Sequence, residues 1–470
     1  MAIRMIHYGA AGGVTGSKHL LDTGSMRILL DCGIFQGSAE AEAKNRSFPF
    51  DPASLDAVVL SHAHADHAGM LPLLVKRGFT GPIYATTATR EIAAHIMRDS
   101  ANIEVHEAAA RKRDRIGSPE DWVPIITTKD VEPVLQQFVE VSYARDHDGW
   151  HDLGKGVRLK CYDAGHILGS AVPILEMQTP SGPFRLAYSG DLGAPGMPLL
   201  YDPDVPSESI DTVLVETTYG DRTHESFGEA VSRLASVIRT VAERGGKLLI
   251  PAFSLGRTQL LIYLLHKLSN ANEIPRIPII VDSPLATRIT EVFTRHRDEF
   301  DRETASDFAR DGHTPLDFPN LTYTQSIEES LAVHEMRGPL AIISSSGMMS
   351  GGRIIDHLRS AIGDARNAVL IVGYQAPGTP GRALVDGART VELRGRQYAI
   401  RAEVFTFDAF SAHADQGQIM SWLEHIPDVR HVVLVHGEPA AADALRLLLA
   451  ERHPTWRFDR PDEGETINLQ

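Results

Sequence analysis

The feature that most constrains this chain is the run Ser61-His62-Ala63-His64-Ala65-Asp66-His67, set directly after the apolar stretch Ala57–Leu60. Three histidines and one aspartate within six residues place four metal-ligating side chains on a single turn. Imidazole and carboxylate are good zinc donors. By composition alone such a run arises in roughly one chain in several hundred. On a turn leaving a strand these side chains splay toward a pair of metals. Four ligands crowded together cannot close a two-metal site, so the fold must bring the others from elsewhere.

Three further positions qualify. His166 lies in Asp163-Ala164-Gly165-His166-Ile167-Leu168-Gly169-Ser170, Asp191 in Tyr188-Ser189-Gly190-Asp191-Leu192-Gly193, and His436 in Leu434-Val435-His436-Gly437-Glu438. Each is a polar side chain at the carboxyl end of an apolar strand, beside a glycine that permits close backbone approach. Singly, such a residue is more often a satisfied structural one. Jointly with the first run, the balance shifts to ligands.

The patterning divides the chain. Up to Glu216 the sequence reads mostly as consecutive strands, including Arg4–Tyr8, Lys18–Asp22, Arg27–Asp31 and Ala57–Leu60, with a glycine-rich turn over Gly9–Gly16. A helix is expected from His67 to about Lys76, and a longer one from Ala88 to about Arg115. After Glu216 strands alternate with helices, which implies a parallel, doubly wound α/β sheet. The charged stretch Asp298–Asp317 lacks clean periodicity and is expected to be a surface excursion.

A chain of 470 residues points to two or three domains. Two cysteines, Cys32 and Cys161, exclude a disulfide framework and a four-thiolate zinc site, and they fit a reducing compartment. The start of the chain lacks the pattern of a signal peptide, and no window approaches the roughly 18 apolar residues of a membrane span. The expectation is a cytoplasmic protein with no membrane partner. A net charge of −15 argues against a broad, histone-like nucleic-acid binder. It does not argue against a nuclease, because bound metals supply positive charge at the scissile phosphate.

The order Asp31, His62-x-His64-x-Asp66-His67, His166, Asp191 resembles the metallo-β-lactamase superfamily. Glu216, His413 and His436 resemble its β-CASP branch of RNA-processing nucleases, as do Pro251-Ala252-Phe253-Ser254-Leu255-Gly256-Arg257, Asp282-Ser283-Pro284, Ser346-Gly347-Met348-Met349 and Ser411-Ala412-His413-Ala414-Asp415. The resemblance implies an αββα sandwich over 1–218, an inserted doubly wound β-CASP domain over 219–400, and a return to the first domain over 401–470.

It also implies roles. One zinc takes His62, His64 and His166, a second takes Asp66, His67 and His436, and Asp191 bridges them; manganese or iron also suits such donors. Asp66 additionally orients the attacking hydroxide, and Asp31 accepts hydrogen bonds that fix the ligand loop. His413 is the general acid, held protonated by Glu216. Single-stranded RNA runs past Arg257, Ser346, Gly347, Arg353 and Arg382, the glycine-rich loop receiving a phosphate at a helix N-terminus. Histidine at 436, where DNA-acting members carry valine, favours RNA. A homo-oligomer is compatible with this reading. The competing readings are a DNA-acting β-CASP nuclease, a small-molecule hydrolase of the same fold, and a non-catalytic scaffold. Two of them leave sequence features idle: the small-molecule hydrolase the inserted domain, the scaffold the full ligand set.

Overall fold

Period-two patterning builds the first part of the molecule. In the strand Arg4–Gly9, Met5, His7 and Gly9 are buried while Arg4, Ile6 and Tyr8 lean outward, so one face of the sheet seeks a partner. The computed structural model describes residues 3–37, 39–145, 149–310, 314–376 and 378–470, and these form two compact units. The first unit comprises Met1–Gly196, Asp202–Thr223 and His413–Gln470.

Two seven-stranded sheets face each other in this unit. One runs, in spatial order, Thr466–Asn468, Arg4–Gly9, Lys18–Asp22, Arg27–Leu30, Ala57–Val59, Ile83–Ala85 and Phe138–Glu140. The other runs Arg457–Asp459, His431–Val435, Thr212–Glu216, Gly182–Tyr188, Ala171–Thr179, Val157–Asp163 and His151–Gly154. Met5, Leu21, Ile28 and Val59 from the first meet Leu159, Leu175, Leu186 and Leu214 from the second in one core. Each such side chain contributes about 1.5–3 kcal/mol by leaving water. On the second sheet's other face, Val172, Val213 and Val432 pack with Ile419, Leu423, Leu445 and Leu449 of helices Gln416–His425 and Pro439–Arg452. The unit is a helix–sheet–sheet–helix sandwich.

The second unit comprises Met197–Tyr201 and His224–Ala412. Its main sheet has six strands among the described residues, all parallel, in the order Leu321–Tyr323, Ile279–Val281, Leu340–Ser344, Lys247–Pro251, Ala368–Ile371 and Glu403–Thr406, and a separate antiparallel pair joins Thr390–Leu393 to Arg396–Ala399. Apolar strands such as Leu340–Ser344, buried at every residue, are what a sheet covered on both faces requires.

Three local expectations need correcting. The helix expected over His67–Lys76 is two helices, Ala65–Ala68 and Leu71–Lys76. Pro72 sits in the first turn of the second, and its missing N–H and ring forbid continuity with the first. The stretch read as a surface excursion carries the helix Arg302–Arg310, and Phe300, Phe308 and Leu316 are buried; residues 311–313 lie outside the described ones. Finally, the inserted unit runs past the expected edge at 400, because Glu403–Thr406 pairs in parallel with Ala368–Ile371 and completes its sheet.

Candidate metal centre

The ligand-type residues gather where strands of the first unit end. Asp31 follows Arg27–Leu30, the histidine run follows Ala57–Val59, His166 follows Val157–Asp163, and Asp191 follows Gly182–Tyr188. Glu216 closes its strand and His436 follows His431–Val435. Gly190 makes the approach possible: its φ is +53°, and a Cβ there would lie 2.6 Å from that of Ser61. Asp31 and His436, at φ 58° and 49°, hold the left-handed conformation, uncommon for any residue with a side chain. Such strain persists only where surrounding contacts enforce it.

Ligand atoms of His62, His64, His166 and Asp191 lie within 4.8 Å of one another, and so do those of Asp66, His67 and His436. Asp191 stands between the groups, its Oδ2 3.4 Å from His62 Nε2 and 3.6 Å from His166 Nε2. Its Oδ1 is 3.3 Å from both His67 Nε2 and His436 Nδ1. That Oδ1 atom is buried and accepts no hydrogen bond among the described residues. Imidazole nitrogens face one another at 3.1 Å for His62 Nε2 and His64 Nδ1, 3.2 Å for His166 Nε2 and His64 Nδ1, and 3.1 Å for the Nε2 atoms of His67 and His436.

The electrostatics favour donors over cations in the first group. Burial lowers the pKa of His62, of His64 (to about 3) and of His166, so these rings are neutral with lone pairs to give. At Asp191 burial opposes ionisation, but its interactions with His436, His67 and His62 hold its carboxyl well below the usual range. Burial pulls His67 down as well, and the carboxylates of Asp191 and Asp31 lift it well above its ordinary value. Neutral imidazoles converging on one oxygen of Asp191, whose other oxygen is buried and accepts no hydrogen bond among the described residues, fit a bound metal.

Asp31 does not reach the cluster's centre; it braces it. Its Oδ2 accepts from His67 Nδ1 at 2.7 Å, Ser61 Oγ at 2.8 Å and the Tyr188 hydroxyl at 2.7 Å, and its Oδ1 from the Ser61 amide at 2.7 Å. Ser61 and Tyr188 carry roles that sequence reasoning did not give them. The available signal was position, since each sits at a strand end just before a ligand loop.

His413 enters beside the cluster through its Nδ1, 3.0 Å from Glu216 Oε2 and 3.1 Å from Oε1. Glu216 is fully buried and also accepts from the Leu192 amide at 2.6 Å. Burial pulls His413 down, but the Glu216 carboxylate raises it to about 9. The side chains of Asp66 and His413 are 23% and 21% exposed whereas His62, His67 and Glu216 are sealed, so the centre opens to solvent on the side of these two.

The expected phosphate contacts belong to the second unit. Arg257 is buried at the start of helix Arg257–Asn270. Ser346 and Gly347 follow the strand Leu340–Ser344, at the carboxyl ends of central strands where doubly wound sheets receive ligands. There the hydroxyls of Ser254, Ser283 and Ser345 meet at 2.6–3.1 Å. Arg353 is engaged internally, donating to Asp282 Oδ1 at 2.7 Å and to the Gln325 carbonyl at 3.0 Å. Arg382 pairs with Asp386 one turn along its helix, at 2.9 Å.

A buried, histidine-rich centre between the strand ends of a helix–sheet–sheet–helix sandwich defines a metal-dependent hydrolase of the metallo-β-lactamase class. The chain belongs to that superfamily's β-CASP family. It matches the metallo-beta-lactamase superfamily domain over residues 20–180, the Beta-Casp domain over 258–384 and the Zn-dependent metallo-hydrolase RNA specificity domain over 397–461. It is 37% identical to Ribonuclease TTHA0252 of Thermus thermophilus, covering 99% of this chain and 100% of that one. It is 29% identical to the transcription termination factor FttA of Methanocaldococcus jannaschii, covering 96% of this chain and 70% of the other. A crystal structure of a protein of unknown function from Enterococcus faecalis V583 shares the fold with a TM-score of 0.53 at 12% identity, covering 99% of this chain and 100% of that one. Among the described residues no helix is long and apolar enough to cross a membrane.

Proposed function

We propose that this protein is a ribonuclease that hydrolyses phosphodiester bonds of single-stranded RNA at a two-zinc centre. The observation that carries the reading is the shared Asp191, which faces His62 and His166 with one oxygen and His67 and His436 with the other. One metal is assigned to His62, His64 and His166, the other to Asp66, His67 and His436, with Asp191 common to both. When bound, the two ions supply a hydroxide at neutral pH and offset the charge of the scissile phosphate.

The chain's own groups do the rest. Asp66, on the open side, orients the attacking water. His413, kept protonated by Glu216, gives its proton to the departing ribose oxygen, which leaves poorly without one. Asp31 fixes the ring of His67 from behind, as outer hydrogen bonds do for metal-bound imidazole. Arg257, Ser346 and Gly347 contact the RNA backbone. Arg382 is a further backbone contact if it gives up Asp386; Arg353 supports the loop from its pairing with Asp282. RNA rather than DNA is favoured by His436, by the RNA specificity domain match spanning it, and by the name of the Thermus relative. A cytoplasmic location follows from such a substrate.

The test uses metal-replete protein and its His413→Ala variant with single-stranded RNA and matched DNA, end-labelled, with and without chelator. Chelator-sensitive cutting of RNA, slowed at least tenfold in the variant, is expected. No cleavage of either polymer by protein holding two metals refutes the assignment.

A further inference from the structure

Lys18 is a charge where a core residue is expected. It stands in the strand Lys18–Asp22, all but sealed from solvent at 2% exposure, and among the described residues no carboxylate hydrogen-bonds it. Burial draws its pKa down to about 8, the mark of an ammonium held in an unfavourable medium. Its Nζ donates to the Gly16 carbonyl at 2.9 Å and the Gly33 carbonyl at 2.6 Å, and lies 4.2 Å from the centre of the Phe35 ring. A buried cation that serves only packing is readily replaced by an apolar side chain. These contacts give it another task.

The two carbonyls belong to two loops, and together those loops grip the turn that carries Asp66 and His67. The Ile34 amide donates to the Ala65 carbonyl at 3.0 Å, the Ser17 amide to that of Asp66 at 2.8 Å, and the Cys32 amide to that of His67 at 2.6 Å. The first loop also accepts from the His436 amide, through the Ala10 carbonyl at 2.7 Å. All three residues of the second metal group therefore hang on loops that the Lys18 ammonium staples to each other. The first group does not: His62, His64 and His166 make none of these contacts.

We infer that Lys18 is a positioning residue for the Asp66–His67–His436 half of the centre, setting that metal's affinity without touching it. The inference rests on the two-metal reading proposed above. Outer contacts of this kind change metal affinity by about 10–100-fold when removed. The loss falls on one equivalent of two.

The experiment is zinc titration by calorimetry, with metal content by elemental analysis, on the full-length protein and on Lys18→Met, which keeps the length of the side chain and removes its donors. The parent is expected to bind two equivalents, and Lys18→Met to bind one as before and the other at least tenfold more weakly. A second variant, Phe35→Leu, removes the ring beneath the ammonium and leaves the carbonyls; it is expected to weaken the same equivalent by a smaller factor. A lowered Tm with both equivalents bound as in the parent overturns the inference, as does equal weakening of both. Should Lys18→Met not fold, unchanged binding in Phe35→Leu overturns it. A parent that binds fewer than two zinc ions instead refutes the two-metal reading.

Discussion

Replacing Glu216 by glutamine preserves volume and the hydrogen bond from the Leu192 amide while removing the charge of a carboxylate that touches His413 and is not assigned to a metal. With Glu216 in place the His413 ring titrates at about 9 and is almost fully protonated at pH about 7.5. Without the carboxylate the burial contribution dominates and carries the ring to or below its ordinary value of about 6.5, so that roughly a tenth remains protonated at that pH. In Glu216→Gln the amide nitrogen also faces His413 Nδ1, which favours the neutral ring further. The expected fall in kcat at pH about 7.5 is therefore about tenfold or more. The assay is RNA cleavage at saturating substrate from pH 6 to 10, with metal content measured on the same samples. For the parent, the rate declines as pH rises through about 9; for the variant the decline is shifted to lower pH, so the two converge toward pH 6. An unchanged rate at neutral pH, or a loss of equal size at every pH with metals retained, refutes the assignment of His413 as the acid and Glu216 as its support.

Three other outcomes follow from the geometry. Asp282, sealed in the second unit, accepts from Thr324, Ser330, Arg353 and His357; Asp282→Ala strands the Arg353 guanidinium and three further donors and is expected to cost about 3–5 kcal/mol, read by denaturant unfolding. Burial alone would raise that carboxyl, but hydrogen bonds led by His357 hold it below its ordinary range, so its stabilisation is present above pH about 4 and fades as pH falls through the lower folded value; the gap between parent and variant should shrink accordingly in acid. Gly33→Ala puts a Cβ 1.5 Å from the Asp66 carbonyl oxygen, and elemental analysis is expected to find at least one metal missing. Removing metal with a chelator should lower Tm, by an amount corresponding to about 4 kcal/mol for each ion when free metal had stood near 1,000 times its Kd, and should leave an Asp191→Asn protein much less affected.

The clustering of the histidine run was legible because its ligand-type residues are close in sequence and their spacing survives any reasonable placement of the strand before them. His166, Asp191 and His436 were legible as strand-end residues beside glycine, but only jointly, since distance along the chain says nothing of convergence. Glu216 and His413 came from resemblance alone: a buried glutamate at a strand end and a histidine in a loop carry no periodic signal. Lys18 stayed hidden because strand patterning reads a lysine as facing water. Arg353 was assigned a phosphate by its loop, and the sequence could not show that Asp282 had already claimed it. The parallel sheet of the second unit was read from its alternation, yet its last strand was misplaced because nothing local distinguishes which of two sheets Glu403–Thr406 will join.

The first unit is assembled from three separate stretches of chain, and its second sheet seats His431–Val435 between Thr212–Glu216 and Arg457–Asp459. During synthesis, then, the edge of Thr212–Glu216 must wait, with its partner strand still unmade, while the whole inserted unit is translated. His413 and His436 arrive only after that interval. On the proposed assignment, a nascent chain carries six of the seven metal-holding residues before the inserted unit is made, and gains the seventh and the proton donor only after it.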